Sequence, residues 1–253
     1  MNILVAFGPS EDSFFLGGGR RACYNNIPQS LVDKINTGQL PVMETSWISI
    51  DKTGKYWCAE KFTGRQPTGE SSRAYQITDT NISSTLQQHI DQSGAQYVSF
   101  PEYDGVADDP PFFVKHKNRG DWNASLPTQY SKAIKELQDT LPTFTDQLKW
   151  IIFGSGGTYL IQVDQGYIAN VEGPHEDPNH LLNKVLTEFG NGAWNIDRGS
   201  TLCLYDHRYF YLKFKNARTG SVEMRYHLPP VMENKVVELL ALSRTAAEQH
   251  GNF

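Results

Sequence analysis

The chain has 253 residues, 39% of them hydrophobic, with thirteen Phe, twelve Tyr and five Trp, enough to bury a substantial core in one domain. A net charge of −5 with the two signs interspersed excludes a broad basic footprint for nucleic acid, and no apolar run reaches membrane-spanning length. Three cysteines, Cys23, Cys58 and Cys203, show neither metal spacing nor an even count, and Met1-Asn2-Ile3-Leu4 enters an apolar run with no basic leader before it. These features lead us to expect reduced thiols and a cytoplasmic location.

The first run, Leu4-Val5-Ala6-Phe7, returns as Trp47-Ile48-Ser49-Ile50, Tyr97-Val98-Ser99-Phe100, Trp150-Ile151-Ile152-Phe153 and Leu202-Cys203-Leu204-Tyr205. The offsets of 43, 50, 53 and 52 residues are those of repeat architectures or just above them. A second run follows each: Phe14-Phe15-Leu16, Tyr56-Trp57-Cys58, Phe112-Phe113-Val114, Tyr159-Leu160-Ile161 and Phe210-Tyr211-Leu212. Aromatic and β-branched residues fit a pleated, half-buried surface, so both runs read as strands, with turn chemistry between them. More polar third strands, of edge character, are expected at 22–24, 72–75, 121–122, 167–170 and 222–226.

Each group then closes on a helix, marked by Leu31/Ile35, Leu86/Ile90, Tyr130/Ile134, Leu182/Leu186 and Val236/Leu240 at four-residue spacing. Pro28, Pro127, Pro178 and Pro230 suit first turns, Asp79-Thr80-Asn81 offers cap residues, and Gly38, Gly94 and Gly190 stand where helices stop. The expected fold is mainly β with short helices (α+β): one domain, 1–253, of five βββα repeats at about 1–44, 45–94, 95–146, 147–198 and 199–253. Because closure removes exposed sheet edges, the repeats are expected to close into a five-bladed β-propeller-like ring.

Catalytic signatures are weak. Gly17-Gly18-Gly19-Arg20-Arg21 lies between strands and reads as a hairpin turn rather than an anion nest. The acidic stretch 102–111 lacks calcium-loop spacing and reads as a loop stiffened by Pro110 and Pro111. In 173–180, His175 and His180 are five apart, unsuited to a helical zinc pair, and Asp177 is expected to cap the following helix. No metal and no cofactor is expected. Asp51, Glu102, Asp197, Asp206 and His207 are acid–base candidates without demonstrable partners.

The repeat itself gives the stronger lead. One face of the first strands presents Trp47, Tyr97 and Trp150 with Ser49 and Ser99, between Leu4 and Leu202, while the alternate face is apolar throughout. If the first strands line a centre, that mixed face forms either an aromatic-walled pocket or an aromatic plug. The expected function is binding of one small molecule or carbohydrate at this asymmetric site, lectin-like at most. A cofactor-independent enzyme using the same cavity, or a protein-interaction scaffold, is the alternative.

Overall fold

Hairpins of aromatic and β-branched residues dominate a computed structural model that describes residues 3–19, 21–42, 45–65, 73–105, 108–117 and 120–250. The fold is mostly β with short helices, built from five small antiparallel sheets among the described residues. The first sheet holds β1 (Ile3–Phe7), β2 (Phe14–Gly18) and β3 (Arg21–Asn25), followed by α1 (Gln29–Asn36). The second holds β4 (Thr45–Ile50), β5 (Trp57–Arg65) and β6 (Arg73–Asn81), followed by α2 (Ser84–Ser93). The third holds β7 (Ala95–Ser99), β8 (Phe112–His116) and β9 (Trp122–Ser125), with α3 (Thr128–Thr140) and the one-turn α4 (Phe144–Gln147) behind it. The fourth holds β10 (Trp150–Phe153), β11 (Tyr159–Gln162) and β12 (Tyr167–Asn170), followed by α5 (Leu181–Phe189).

In the fifth sheet the inner strand is split into β13 (Trp194–Ile196) and β14 (Thr201–Leu202), both paired to β15 (Phe210–Asn216), with β16 (Val222–His227) outside and α6 (Pro230–His250) after it. The split has a register cause. Ile196 faces Phe214 and Thr201 faces Tyr211, so five steps along the inner strand answer three along β15, an insertion of two residues. Arg198 and Gly199 lie within this bulge, which carries their backbone out of the ladder. Leu202 therefore pairs with Phe210 as Phe7 pairs with Phe14 and Phe153 with Tyr159. It matches Phe7 and Phe153 in register, not Leu4 and Trp150 as the apolar pattern had it.

Local differences have similarly plain causes. Asp79-Thr80-Asn81 ends β6, and Ser83 caps α2 instead, its Oγ accepting the Leu86 N–H at 3.3 Å. Helix α5 is capped by His180, whose Nδ1 accepts from Leu182 N, while Asp177 caps nothing and accepts from Asn179 N one turn earlier. Gly19, at φ 56°, turns the β2–β3 hairpin in a left-handed conformation that favours glycine; Arg20 beside it lies outside the described residues. So do Ser72, expected in a third strand, Val106 and Ala107 of the acidic stretch, and the repeat boundary at 44.

No ladder bonds join one sheet to another among the described residues; the sheets meet through side chains. β1 touches β4, β4 touches β7, β7 touches β10, β10 touches β14, and β14 touches β1. The core is correspondingly divided. Leu4, Ala6 and Phe15 of the first sheet pack on Ile48, Ile50 and Trp57 of the second. The second, third and fourth sheets share a larger cluster containing Trp47, Tyr97, Val98, Ile151 and Phe153. Ile152 and Leu160 pack on Leu202, Phe210 and Leu212. Finally Ile3, Val5 and Leu16 meet Tyr211, Met232 and Val236, which brings the last sheet and α6 onto the first. The Tyr211 hydroxyl adds a donor to Ile3 O at 3.1 Å.

That last cluster is testable by truncation. Met232→Ala, at a site with no exposure, should lower global stability by about 2–5 kcal/mol, the cost of a large-to-small change in a packed core. A urea midpoint shift at constant m checks it; an unchanged midpoint would mean α6 is merely laid on the surface.

Candidate functional site

The sequence-derived site residues divide between two places. Trp47, Ser49, Tyr97 and Ser99 line a cavity that touches the first strands of all five sheets, but its volume is about 30 Å³. That is room for one or two waters. Consecutive residues such as Val5, Ala6 and Phe7 line it, and since neighbours in a strand point to opposite faces, the backbone edges form its wall. The expected division into a lining face and a packing face does not hold: Leu4 and Ala6 pack against the next sheet just as Val5 and Phe7 pack against the last. A sheet between two neighbours gives one face to each. Trp47 and Tyr97 are buried with ring centroids 4.9 Å apart, and the Ser99 hydroxyl donates to Ile151 O at 2.6 Å, tying the third sheet to the fourth.

Trp150 lies elsewhere. Its ring continues the aromatic row, 6.3 Å from Tyr97, and forms part of the wall of a groove of about 640 Å³. The groove opens where the first strands begin and the middle strands end. Trp150, Val163 and Ile196 give it apolar surface; Gln96, Asn195, Lys117, Lys149, Lys215 and Arg198 surround them.

Sequence reasoning missed the polar floor of this region. Opposite Trp47, Tyr97 and Trp150 on the middle strands stand Glu60, Lys115 and Gln162, and Asp197 N donates to Lys213 O at the matching place in the fifth sheet. All four of these middle-strand side chains are buried, at 1%, 4%, 4% and 7% exposure, where the first sheet has Gly17. Each stands three residues beyond the residue that opens its strand, a regularity that marks a shared position but not its burial.

The bulge in the fifth sheet reaches this row. Arg198 Nη1 lies 2.8 Å from Glu60 Oε2, and Arg198 Nη2 donates to Ser46 Oγ at 3.3 Å. Burial pushes the Glu60 carboxyl above its usual range, and the Arg198 charge pulls it back only in part. A Cβ on Gly199 would stand 3.1 Å from Ser46 O, a tight contact that would push the bulge back by a few tenths of an ångström. Lys213 Nζ pairs with Asp197 Oδ1 at 3.0 Å and Lys149 with Asp164 at 2.5 Å. Gln162 is structural, holding Asn195 Oδ1 and Ile196 N.

Protein-family models, curated proteins and solved structures give no match to this chain. The site is therefore read from its own geometry.

The other candidate residues have structural partners. Asp51 accepts from Thr53 and Tyr56 N in its turn and from Tyr103 Oη at 2.9 Å. Glu102 accepts from Gly156 N at 2.6 Å, and Asp206 holds the Arg208 guanidinium, which keeps its carboxyl below the ordinary range. Of the acid–base candidates Asp51, Glu102, Asp197, Asp206 and His207, Asp197 alone lines the groove. His175 and His180 do come together, joined by His207, with ring centroids 4.7 to 5.8 Å apart. Yet no group of three or more His, Cys, Asp or Glu is placed to hold a metal among the described residues. His175 is buried with both nitrogens engaged, Nδ1 by the Thr158 hydroxyl at 2.6 Å and Nε2 by His207 O at 2.7 Å. A ring donating to that carbonyl from Nε2 accepts the hydroxyl proton at Nδ1, which is the neutral tautomer.

Burial holds His175 and His180 below the ordinary histidine value, with the neighbouring rings acting in the same direction. The unfolded chain therefore binds more protons below about pH 6.5, and stability should fall as pH drops from there. Urea midpoints between about pH 7.5 and 5.5 should decline, and His180→Gln should flatten the decline. A midpoint independent of pH would refute this role.

Proposed function

We propose that the chain is a single-site ligand-binding protein whose five sheets form the blades of a five-bladed β-propeller-like ring, with the ligand held in the groove beside Trp150. The ring reading draws support from the succession of sheet contacts, from first strand to first strand, and from the cluster that joins the last sheet to the first. One observation carries the site: a cleft of about 640 Å³, within the range of small-molecule pockets, combines a half-buried tryptophan with placed amides and cations. Its polar residues differ from sheet to sheet, which favours one asymmetric site over a multivalent lectin. Cys58 and Cys203 are buried, and none of the three cysteines forms a disulfide, in keeping with the proposed cytoplasmic location.

A second reading as a cofactor-independent enzyme rests on Glu60 alone, a buried carboxyl in the groove wall that burial holds above its usual range. Product formation from a bound ligand would decide for it.

Tryptophan fluorescence titrated against sugars and small polar metabolites tests the binding reading. A saturable change should appear and be lost in Trp150→Ala, whereas Trp47→Ala should mainly cost about 3–5 kcal/mol of stability as a core truncation. Full binding by a folded Trp150→Ala protein would refute the groove.

A further inference from the structure

We propose that the ligand of this groove is an anionic sugar, its phosphate or carboxylate met by Arg198 and its ring laid on Trp150; this rests on the groove being the binding site. The charge pattern comes first. Lys117, Lys149, Arg198 and Lys215 reach the groove from four separate segments, in a chain whose net charge is −5. Three carboxylates share the lining, each in an ion pair, Glu60 with Arg198, Asp164 with Lys149 and Asp197 with Lys213, so the four lining cations exceed the carboxylates by one. Lys213 and Lys115 add two buried ammonium groups in the row behind. Lys115 is held below the ordinary lysine range by burial first and by the Lys149 charge second, while Asp121, Asp146 and Asp164 act the other way.

The Arg198 guanidinium is the best-placed anchor. The two-residue bulge delivers it, Glu60 and Ser46 fix it from behind, and its side chain keeps 22% exposure while Glu60 keeps 2%. Glu60 thus acts as a positioning residue that orients the fork, and the fork's planar donors suit bidentate contact with phosphate or carboxylate. Lys215 is exposed at the rim. Around the tryptophan, the Gln96 amide and Asn195 Nδ2 carry no hydrogen bond among the described residues and face the same cleft, where hydroxyl groups would satisfy them. An aromatic face beside such donors and acceptors fits the apolar face and hydroxyl rim of a pyranose.

Calorimetric titration of the full chain with glucose 6-phosphate, glucuronate, glucose and glucosamine tests this on one ring. Glucose 6-phosphate or glucuronate, or both, should bind at least about tenfold more tightly than glucose, with glucosamine weakest. The advantage should shrink several-fold on raising salt from about 20 to about 300 mM. Lys215→Gln, on an exposed side chain with little bearing on folding, should cut the affinity of the anionic sugars several-fold more than that of glucose. Arg198→Lys should cost more while retaining charge, because the fork is lost. The response of phosphate against carboxylate identifies which anion is read. Equal binding of glucose and glucose 6-phosphate would overturn the anionic assignment while leaving the groove intact. Absence of binding by all four sugars would overturn it as well. Tight binding of glucose 6-phosphate that survives Trp150→Ala unchanged would instead overturn the groove.

Discussion

A small sheet that is apolar on both faces must bury each face against another element, and that constraint organises the whole chain. Each sheet has apolar residues on both faces of its inner and middle strands, so each must be covered twice. The first sheet meets the second through Leu4, Ala6 and Phe15, and meets the last through Val5 and Leu16. The middle three share one continuous cluster. Stability is therefore spread over the contacts between sheets rather than gathered in one core, and helix α6 matters because it covers the seam between the last sheet and the first.

Packing of this kind leaves little room at the inner strands, and the cavity of about 30 Å³ there reflects it. Room for a ligand arises where the repetition fails. Four inner strands run on without insertion from the position of Leu4, Trp47, Tyr97 and Trp150; the fifth gains two residues and bulges. The bulge places a guanidinium beside a buried carboxylate where the first strands begin. The middle strands contribute a buried polar row beneath it, which is costly unless paired and so fixes the geometry of the groove floor. In the proposed function this irregularity is the site and the regular part is its frame.

Much of the frame was legible in the sequence. The paired bulky residues located the middle strands because aromatic pairs suit a sheet covered on both sides, and Leu31, Leu86, Tyr130 and Leu182 are buried on the helices as their spacing implied. The aromatic row of Trp47, Tyr97 and Trp150 is also real as a set of neighbours. Other features were not legible, for physical reasons. Leu202-Cys203-Leu204-Tyr205 has the apolarity of a first strand, but only its opening residue pairs, and nothing local reveals that Arg198 and Gly199 are extra. Glu60, Lys115, Gln162 and Lys213 look like the solvent face of alternating strands until neighbouring sheets cover them. His207 lies 32 residues from His175, so the imidazole cluster exists only in the folded chain.

The most direct measurement is a crystal structure of the protein soaked with glucose 6-phosphate. The account predicts density in the groove, with the sugar against Trp150, the phosphate within hydrogen-bonding distance of Arg198, and Trp47 and Tyr97 unmoved. Density between the first strands with those two rings displaced, or on a face away from Trp150, would contradict it.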